Sequence, residues 1–349
     1  MKMVRIGMLG SGFVANFYME GLQNVGGQEV VMNYSYPDDT VNSAEKFAKK
    51  WGIPEYTDNF SEAIDRDDID LYFIAMPNEV HEEMAVKLAE KGKNQVCTKP
   101  LGRSEKEARA MLEAVEKAGV FHGYAETEVF APAVVKAKDI IDNGGLGRVL
   151  WVRSREGHGG PHAPHFWDKE LTGGGALMDL GGHCIEAARY FFGKDDLITE
   201  VFAWGDLIVH KDKTRAEDNA LMMMRFESGG VAHIELTWCT RGGLDLRNEI
   251  HGTEGSIFTD VTRSTPIEAF TTQGTGYVIE KADSDKGWVY PLPEEAFTYG
   301  YQAECRHFVE CVRDSKPARE NYYDGLEVAK IMDAGYKSME EKTWIKIER

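Results

Sequence analysis

Short apolar runs alternate with amphipathic segments over the first third of the chain. Val4–Gly10 (VRIGMLG) reads as a buried strand, and a helical pattern follows from Ala15 to about Leu22. The next strand, EVVMNYS, precedes the helix SAEKFAKKWG, which Gly52 stops. DIDLYFIAMP is again strand-like, HEEMAVKLAEKG is a helix ending at Gly92, and NQVCTKP is a further strand. Ser104-x-x-Glu107 forms a capping box at the head of a helix that Gly119 ends. Strands separated by some ten helical residues predict right-handed βαβ units and a parallel sheet.

The texture changes after about Tyr124. One helix, PAVVKAKDIIDNG, leads into longer runs of strand character: RVLWVRSRE, ITEVFAWGDLIV, NALMMMRF, VAHIELTWCT, NEIHG and GSIFTDV. The ESGG turn joins two of them in hairpin fashion, and the LMMM run reads as a buried strand. YGYQAECRHFVECV has helical spacing with Phe308 and Val312 as core residues, and a last helix spans about Tyr323 to Glu340. The pattern therefore predicts two domains, at 1–124 and 125–349, the second an α+β domain with a large, mainly antiparallel sheet and helices on one face.

Composition narrows the function. At 349 residues the chain exceeds one ordinary hydrophobic core. Lysine and arginine number 40 against 58 aspartates and glutamates, and the net charge of −18 argues against a nucleic-acid partner. No apolar run reaches the roughly 20 residues of a membrane helix, and the start MKMVRIGMLGSG is too glycine-broken for a signal peptide. Cys97, Cys184, Cys239, Cys305 and Cys311 are odd in number and lack a C-x-x-C pair, a pattern that fits reduced thiols in a cytoplasmic protein.

Gly10-Ser11-Gly12-Phe13-Val14-Ala15 matches G-x-G-x-x-A between a predicted strand and helix. The first glycine permits the tight turn, the second admits a pyrophosphate to the backbone, and the small third residue lets the helix pack closely. The N-terminal domain is thus predicted to be an α/β Rossmann domain with a parallel sheet. Some 20 residues on, the ribose-reading position carries Ser35 and Tyr36 in place of the acid that signals NAD or the arginine that signals NADP. Asp38 and Asp39 nearby disfavour a 2′-phosphate, so the expected cofactor is NAD or NADP with a lean to NAD.

Lys99 ends the strand NQVCTKP, beside Thr98, at the carboxyl edge where an open α/β sheet binds ligands. A lysine there holds a substrate oxygen or is a solvated loop residue. Pro77, Asn78 and His81 in MPNEVH occupy the equivalent edge of another strand and are assigned to the cofactor rim. In GGGALMDLGGHCIE, Asp179 and His183 are four residues apart, one turn along one helix face. Either they serve chemistry or they are a packed, hydrogen-bonded pair. The surrounding glycines are expected to let a ligand approach the backbone. REGHGGPHAPHFWD concentrates Glu156, His158, His162, His165, Trp167 and Asp168. It reads as a substrate loop, with Trp167 suited either to stacking on a sugar face or to core packing. No metal is expected there, although Glu156, His158 and His162 are the residues that would ligate one.

Taken in order, the N-terminal glycine fingerprint, MPNEVH, the K-P pair at Lys99, GGGALMDLGGH and EIHGTEGSI resemble the glucose-fructose oxidoreductase, inositol dehydrogenase and MocA (Gfo/Idh/MocA) family over nearly the whole chain. The resemblance implies an NAD(P)-dependent oxidoreductase acting on a secondary hydroxyl of a sugar, glycoside or cyclic polyol, and a homodimer or homotetramer built on the C-terminal sheet. It places the family's catalytic lysine on Lys99 and its D-x-x-x-H pair on Asp179 and His183, with Thr98 where the family usually has glutamate. The family often carries arginine just after the first domain; here Glu126 and Glu128 stand instead, and Glu126 is expected to contact substrate. His183 would be the base, Asp179 would orient the hydroxyls and Lys99 would polarise the oxygen. Two other readings remain at this level: cleavage of a glycoside through transient oxidation and elimination, and a non-catalytic, ligand-sensing regulator.

Overall fold

A computed structural model describes residues 3–37, 43–263, 265 and 267–348. In chain order the first elements are β1 (Val4–Leu9), α1 (Phe13–Gln23), β2 (Gln28–Tyr34), α2 (Ala44–Trp51), β3 (Glu55–Thr57), α3 (Phe60–Ile64), β4 (Leu71–Ile74), α4 (His81–Glu90), β5 (Gln95–Thr98), α5 (Glu105–Ala118) and β6 (His122–Ala125). There follow α6 (Pro132–Asp142), β7 (Val149–Gly157), α7 (Lys169–Thr172), α8 (Ala176–Phe192), β8 (Ile198–Asp206), β9 (Asn219–Phe226), β10 (Val231–Thr237), β11 (Asp245–Gly252) and β12 (Ser256–Asp260). The chain closes with β13 (Ala269–Thr271), β14 (Gly287–Val289), α9 (Glu295–Thr298), α10 (Tyr301–Asp314), α11 (Tyr322–Glu341) and β15 (Ile345–Lys346).

Two compact units result, Met1–Glu126 with Gly300–Glu327, and Thr127–Tyr299 with Val328–Arg349. The division differs from a single boundary at 124/125 because α10 packs with the first unit. Its stripe of Cys305, Phe308 and Val309 is buried in one cluster with Tyr18, Phe73 and Val96. Gly21 of α1 makes that approach possible, since a Cβ there would lie 2.9 Å from the Tyr301 carbonyl carbon.

The first unit holds a six-stranded sheet in the order β3-β2-β1-β4-β5-β6, every pair parallel. The predicted punctuation is present: Gly52 and Gly119 end α2 and α5 in the left-handed region at φ 68° and 65°. The capping box at α5 is displaced by one residue. Ser104 Oγ accepts the Glu107 N–H at 3.3 Å, while the Glu107 carboxylate accepts the N–H of Arg103 at 2.8 Å.

The second unit is built on a seven-stranded sheet, β12-β11-β7-β10-β9-β8-β15. It is mixed: β7 and β10 run parallel and the remaining pairs antiparallel. α8 lies along β7 and β10 on one face. The LMMM run is half-buried: Met222 and Met224 face the core while Leu221 and Met223 stand 46% and 43% exposed on the other face. That outer face also carries Trp151, Trp204 and a ladder in which Arg153 and Arg155 both pair with Glu235. No disulfide joins the five cysteines. Among the described residues no helix is long and apolar enough to cross a membrane.

Candidate active site

The glycine turn between β1 and α1 is shaped by backbone crowding. Gly10 has φ 121°, and a Cβ there would sit 2.1 Å from the Ala75 carbonyl oxygen, so only glycine fits. Gly12, by contrast, has nothing within 4 Å of a built Cβ and starts α1 without a side-chain cap. It leaves open space over the N–H groups of the first turn, where Phe13 and Val14 are exposed. Ser11 points inward and donates to Asn33 Oδ1 at 2.8 Å, while Asn33 Nδ2 donates to the carbonyls of Met8 and Gly10 at 3.0 and 2.8 Å. This buried amide ties the turn to β2. At the end of β2 the Ser35 side chain is buried, and among the described residues its Oγ has no hydrogen-bond partner. Tyr36 beside it is 37% exposed, and burial, then Tyr34, Glu79 and Glu83, push its phenol up to about 12. An open backbone cradle and an unengaged hydroxyl at the ribose position fit a dinucleotide. Asp38 and Asp39 lie outside the described residues.

Lys99 follows the buried Thr98 at the carboxyl end of β5 and is itself half-buried. Pro77 and the buried Asn78 start the turn into α4. His81 does not reach a cofactor rim. It is 0% exposed, with Nδ1 2.9 Å from the Pro100 carbonyl and Nε2 2.8 Å from that of Met76. The ring braces the Lys99-Pro100 turn against the end of β4, and burial holds its pKa below the ordinary imidazole value. Glu126, expected to meet substrate, is likewise fully buried and presents no surface to a soluble ligand.

α8 carries Asp179 in its first turn and His183 one turn later. Asp179 is 9% exposed and His183 half-buried, and they are the two polar side chains among the otherwise buried residues 176–185 of the helix. The glycines before the pair serve packing. Gly173 ends α7 at φ 90°, a Cβ on Gly174 would lie 1.9 Å from the Tyr336 hydroxyl, and one on Gly175 would lie 2.0 Å from the Glu217 carbonyl. Glu217 replaces a local N-cap: its Oε1 accepts the N–H groups of Gly175 and Leu177 at 3.2 and 3.0 Å and the Tyr336 hydroxyl at 3.0 Å. Burial raises its carboxyl pKa against these donors.

The histidine-rich segment is divided in its uses. Glu156 and His158 are buried at 5% and 2%, and the His158 Nε2 lies 3.5 Å from Asp179 Oδ2. His162 stays exposed, its pKa lowered by partial burial and by the Lys281 ammonium. Trp167 is not an open platform. Gly160 crowds its benzo ring, His210 and Trp238 meet it edge-on with centroids 4.9 and 5.3 Å away, and Lys213 lies 4.8 Å over its centre. Glu156, His158 and His162 do not converge as a ligand set. His210, Asp218 and Cys239 do, within 4.8 Å of one another. Asp218, however, spends its oxygens on the N–H groups of Ile208, Val209 and His210 and on the Asn219 amide, which makes it a loop anchor. Trp238 is a partner of Asp179 that the sequence reading missed. It donates Nε1–H to Asp179 Oδ2 at 2.9 Å, and its only signal was an aromatic just past an alternating strand.

A parallel sheet with a glycine cradle in one unit, and in the other a mixed sheet covered by a helix that carries an Asp/His pair, is the architecture of a two-domain, dinucleotide-dependent oxidoreductase. The chain belongs to the Gfo/Idh/MocA family: residues 4–125 match its NAD-binding Rossmann fold and residues 134–258 its C-terminal domain. It is 29% identical to the levoglucosan dehydrogenase of Pseudarthrobacter phenanthrenivorans, over 87% of this chain and 86% of that one. It is 27% identical to the myo-inositol 2-dehydrogenase of Thermotoga maritima, over 99% of each. Among solved structures, GenD2 from gentamicin A biosynthesis in complex with NAD superposes with a TM-score of 0.93 at 27% identity, over 100% of this chain and 97% of that one.

Proposed function

We propose that the protein is an NAD-dependent dehydrogenase that oxidises a secondary hydroxyl of a cyclic polyol, sugar or glycoside. The observation that carries this reading is the Asp179/His183 pair one turn apart on α8, with His183 the partly exposed member, in a chain whose relatives include dehydrogenases of levoglucosan and myo-inositol. NAD, held by the Gly10–Gly12 turn, the first N–H groups of α1 and Ser35, supplies the two-electron acceptor when bound. His183 takes the hydroxyl proton, for which an imidazole is suited near neutral pH. Asp179 fixes the orientation of that hydroxyl and its neighbour. Lys99 stabilises the oxygen as it gains carbonyl character. His162 stands at the rim of the substrate loop. The apolar outer face of the seven-stranded sheet, with Trp151, Trp204, Leu221 and Met223, serves self-association.

The test is kinetic. Lys99→Ala and His183→Ala are each expected to lower kcat/KM for a responsive polyol by about 10²- to 10⁴-fold, while NADH binding, followed by fluorescence, stays within a few-fold of the wild type. Retained turnover in both variants would reject the assignment.

A further inference from the structure

We propose that His158 is a positioning residue for Asp179. With Trp238, it clamps one carboxylate oxygen so that the group meets substrate ionised and in a single orientation. The inference rests on the reading of Asp179 as part of the active site.

The His158 backbone is fixed before its side chain acts. Its N–H donates to the Thr237 carbonyl at 3.0 Å and its carbonyl accepts the Thr240 N–H at 3.2 Å, extending the β7–β10 pairing. Its Nδ1 accepts the Gly160 N–H at 2.9 Å. An imidazole nitrogen that accepts carries no proton, so the neutral ring holds its hydrogen on Nε2. That Nε2 faces Asp179 Oδ2 at 3.5 Å. The same Oδ2 accepts the Trp238 indole N–H at 2.9 Å.

Trp238 is equally immobile. It is 0% exposed, its N–H donates to the Asp218 carbonyl at 2.9 Å, and its carbonyl lies 3.0 Å from His210 Nε2. A hydrogen bond from Trp238, at the end of β10, and the facing His158 Nε2 at 3.5 Å, at the end of β7, therefore converge on one oxygen of a residue on α8. Both groups are sealed, with the His158 side chain 3% exposed, whereas the Asp179 side chain retains 12% and is the member open to a ligand. Donors aimed at the charged form favour ionisation and cost no reorganisation when substrate arrives. Gly160 completes the device: at φ 104° and with its Cβ position 2.5 Å from the Trp167 ring, it turns the chain so that its N–H meets Nδ1. The first histidine of the loop thus works inward, through Asp179.

The test compares two conservative variants. Glutamine places an N–H near the position of Nε2, whereas asparagine places its amide near Nδ1, against the Gly160 donor. His158→Gln is expected to keep kcat within about three-fold, while His158→Asn and Trp238→Phe lower it by about ten- to a hundred-fold and move the acid limb of the pH profile upward. Independently of turnover, ¹⁵N NMR of the wild-type protein should show His158 protonated on Nε2 and not on Nδ1. The Asp179 carboxyl, followed by ¹³C NMR, should titrate higher in Trp238→Phe than in the wild type. A proton on Nδ1, an unmoved Asp179 titration, or equal losses in the Gln and Asn variants with an unmoved acid limb would overturn the proposal. A wild type that oxidises no polyol would instead remove the functional reading, and the NMR result would still decide the clamp.

Discussion

His81 shows how a residue in a motif can be structural. Its neighbours in MPNEVH suggest a ligand rim, yet both ring nitrogens meet backbone carbonyls and the ring sees no solvent. The unfolded chain takes up a proton at this residue near pH 6.5, while burial lowers the folded pKa. Its contribution to stability is therefore full above about pH 6.5, declines as pH falls toward the lowered folded value, and levels below it. In urea titrations between pH 7.5 and 5, His81→Gln is expected to show a shallower loss of stability than the wild type. At this scale the sequence was informative where placement follows spacing, as with Asp179 and His183, which stand four apart on α8. It was uninformative about partners far along the chain: the rings of His210 and Trp238 that meet Trp167, and the Trp238 N–H on Asp179, could not be placed from spacing.

At the scale of elements, α8 is held by groups outside itself. Its start has no local capping side chain; Glu217 and Tyr336 supply the contacts, and Gly174 and Gly175 make room for them. Gly175→Ala would drive a methyl into the Glu217 carbonyl, and is expected to lower stability by about 2–3 kcal/mol in urea unfolding and to reduce turnover by displacing Asp179. Asp218 anchors the next loop. Its pKa is lowered by the N–H groups of Ile208, His210 and Val209 and by the Asn219 amide, which outweigh the desolvation that would raise it. The carboxylate thus stabilises the fold above the unfolded pKa near 4, and this contribution is lost as pH falls through the depressed folded value. Asp218→Ala leaves those donors without their acceptor and is expected to cost about 2–4 kcal/mol at pH 7, with a smaller acid dependence than the wild type. The Ser104 cap was readable because donor and acceptor lie within one turn. The Glu217 cap was not, since it stands some 40 residues from the helix it starts.

For the molecule as a whole, the alternation of strand and helix made the parallel sheet legible, and the fingerprint located the cradle. The parallel β7–β10 pair was not legible, because alternation along a strand reports which face is buried and says nothing of direction. The return of α10 to the first unit was hidden as well: its apolar stripe is ordinary, and its place is decided by the groove that Gly21 opens. If the outer face of the second sheet mediates self-association, Leu221→Lys combined with Met223→Lys should reduce the sedimentation coefficient to that of a monomer, and an unchanged oligomer would exclude that face.

The central claim is that a carbinol carbon is oxidised. Its most direct test is the fate of deuterium placed on that carbon in a polyol the enzyme turns over, read by mass spectrometry of the nicotinamide recovered. The account predicts one deuteron on the reduced nicotinamide for each carbonyl formed; deuterium released to solvent with no net cofactor reduction would contradict it.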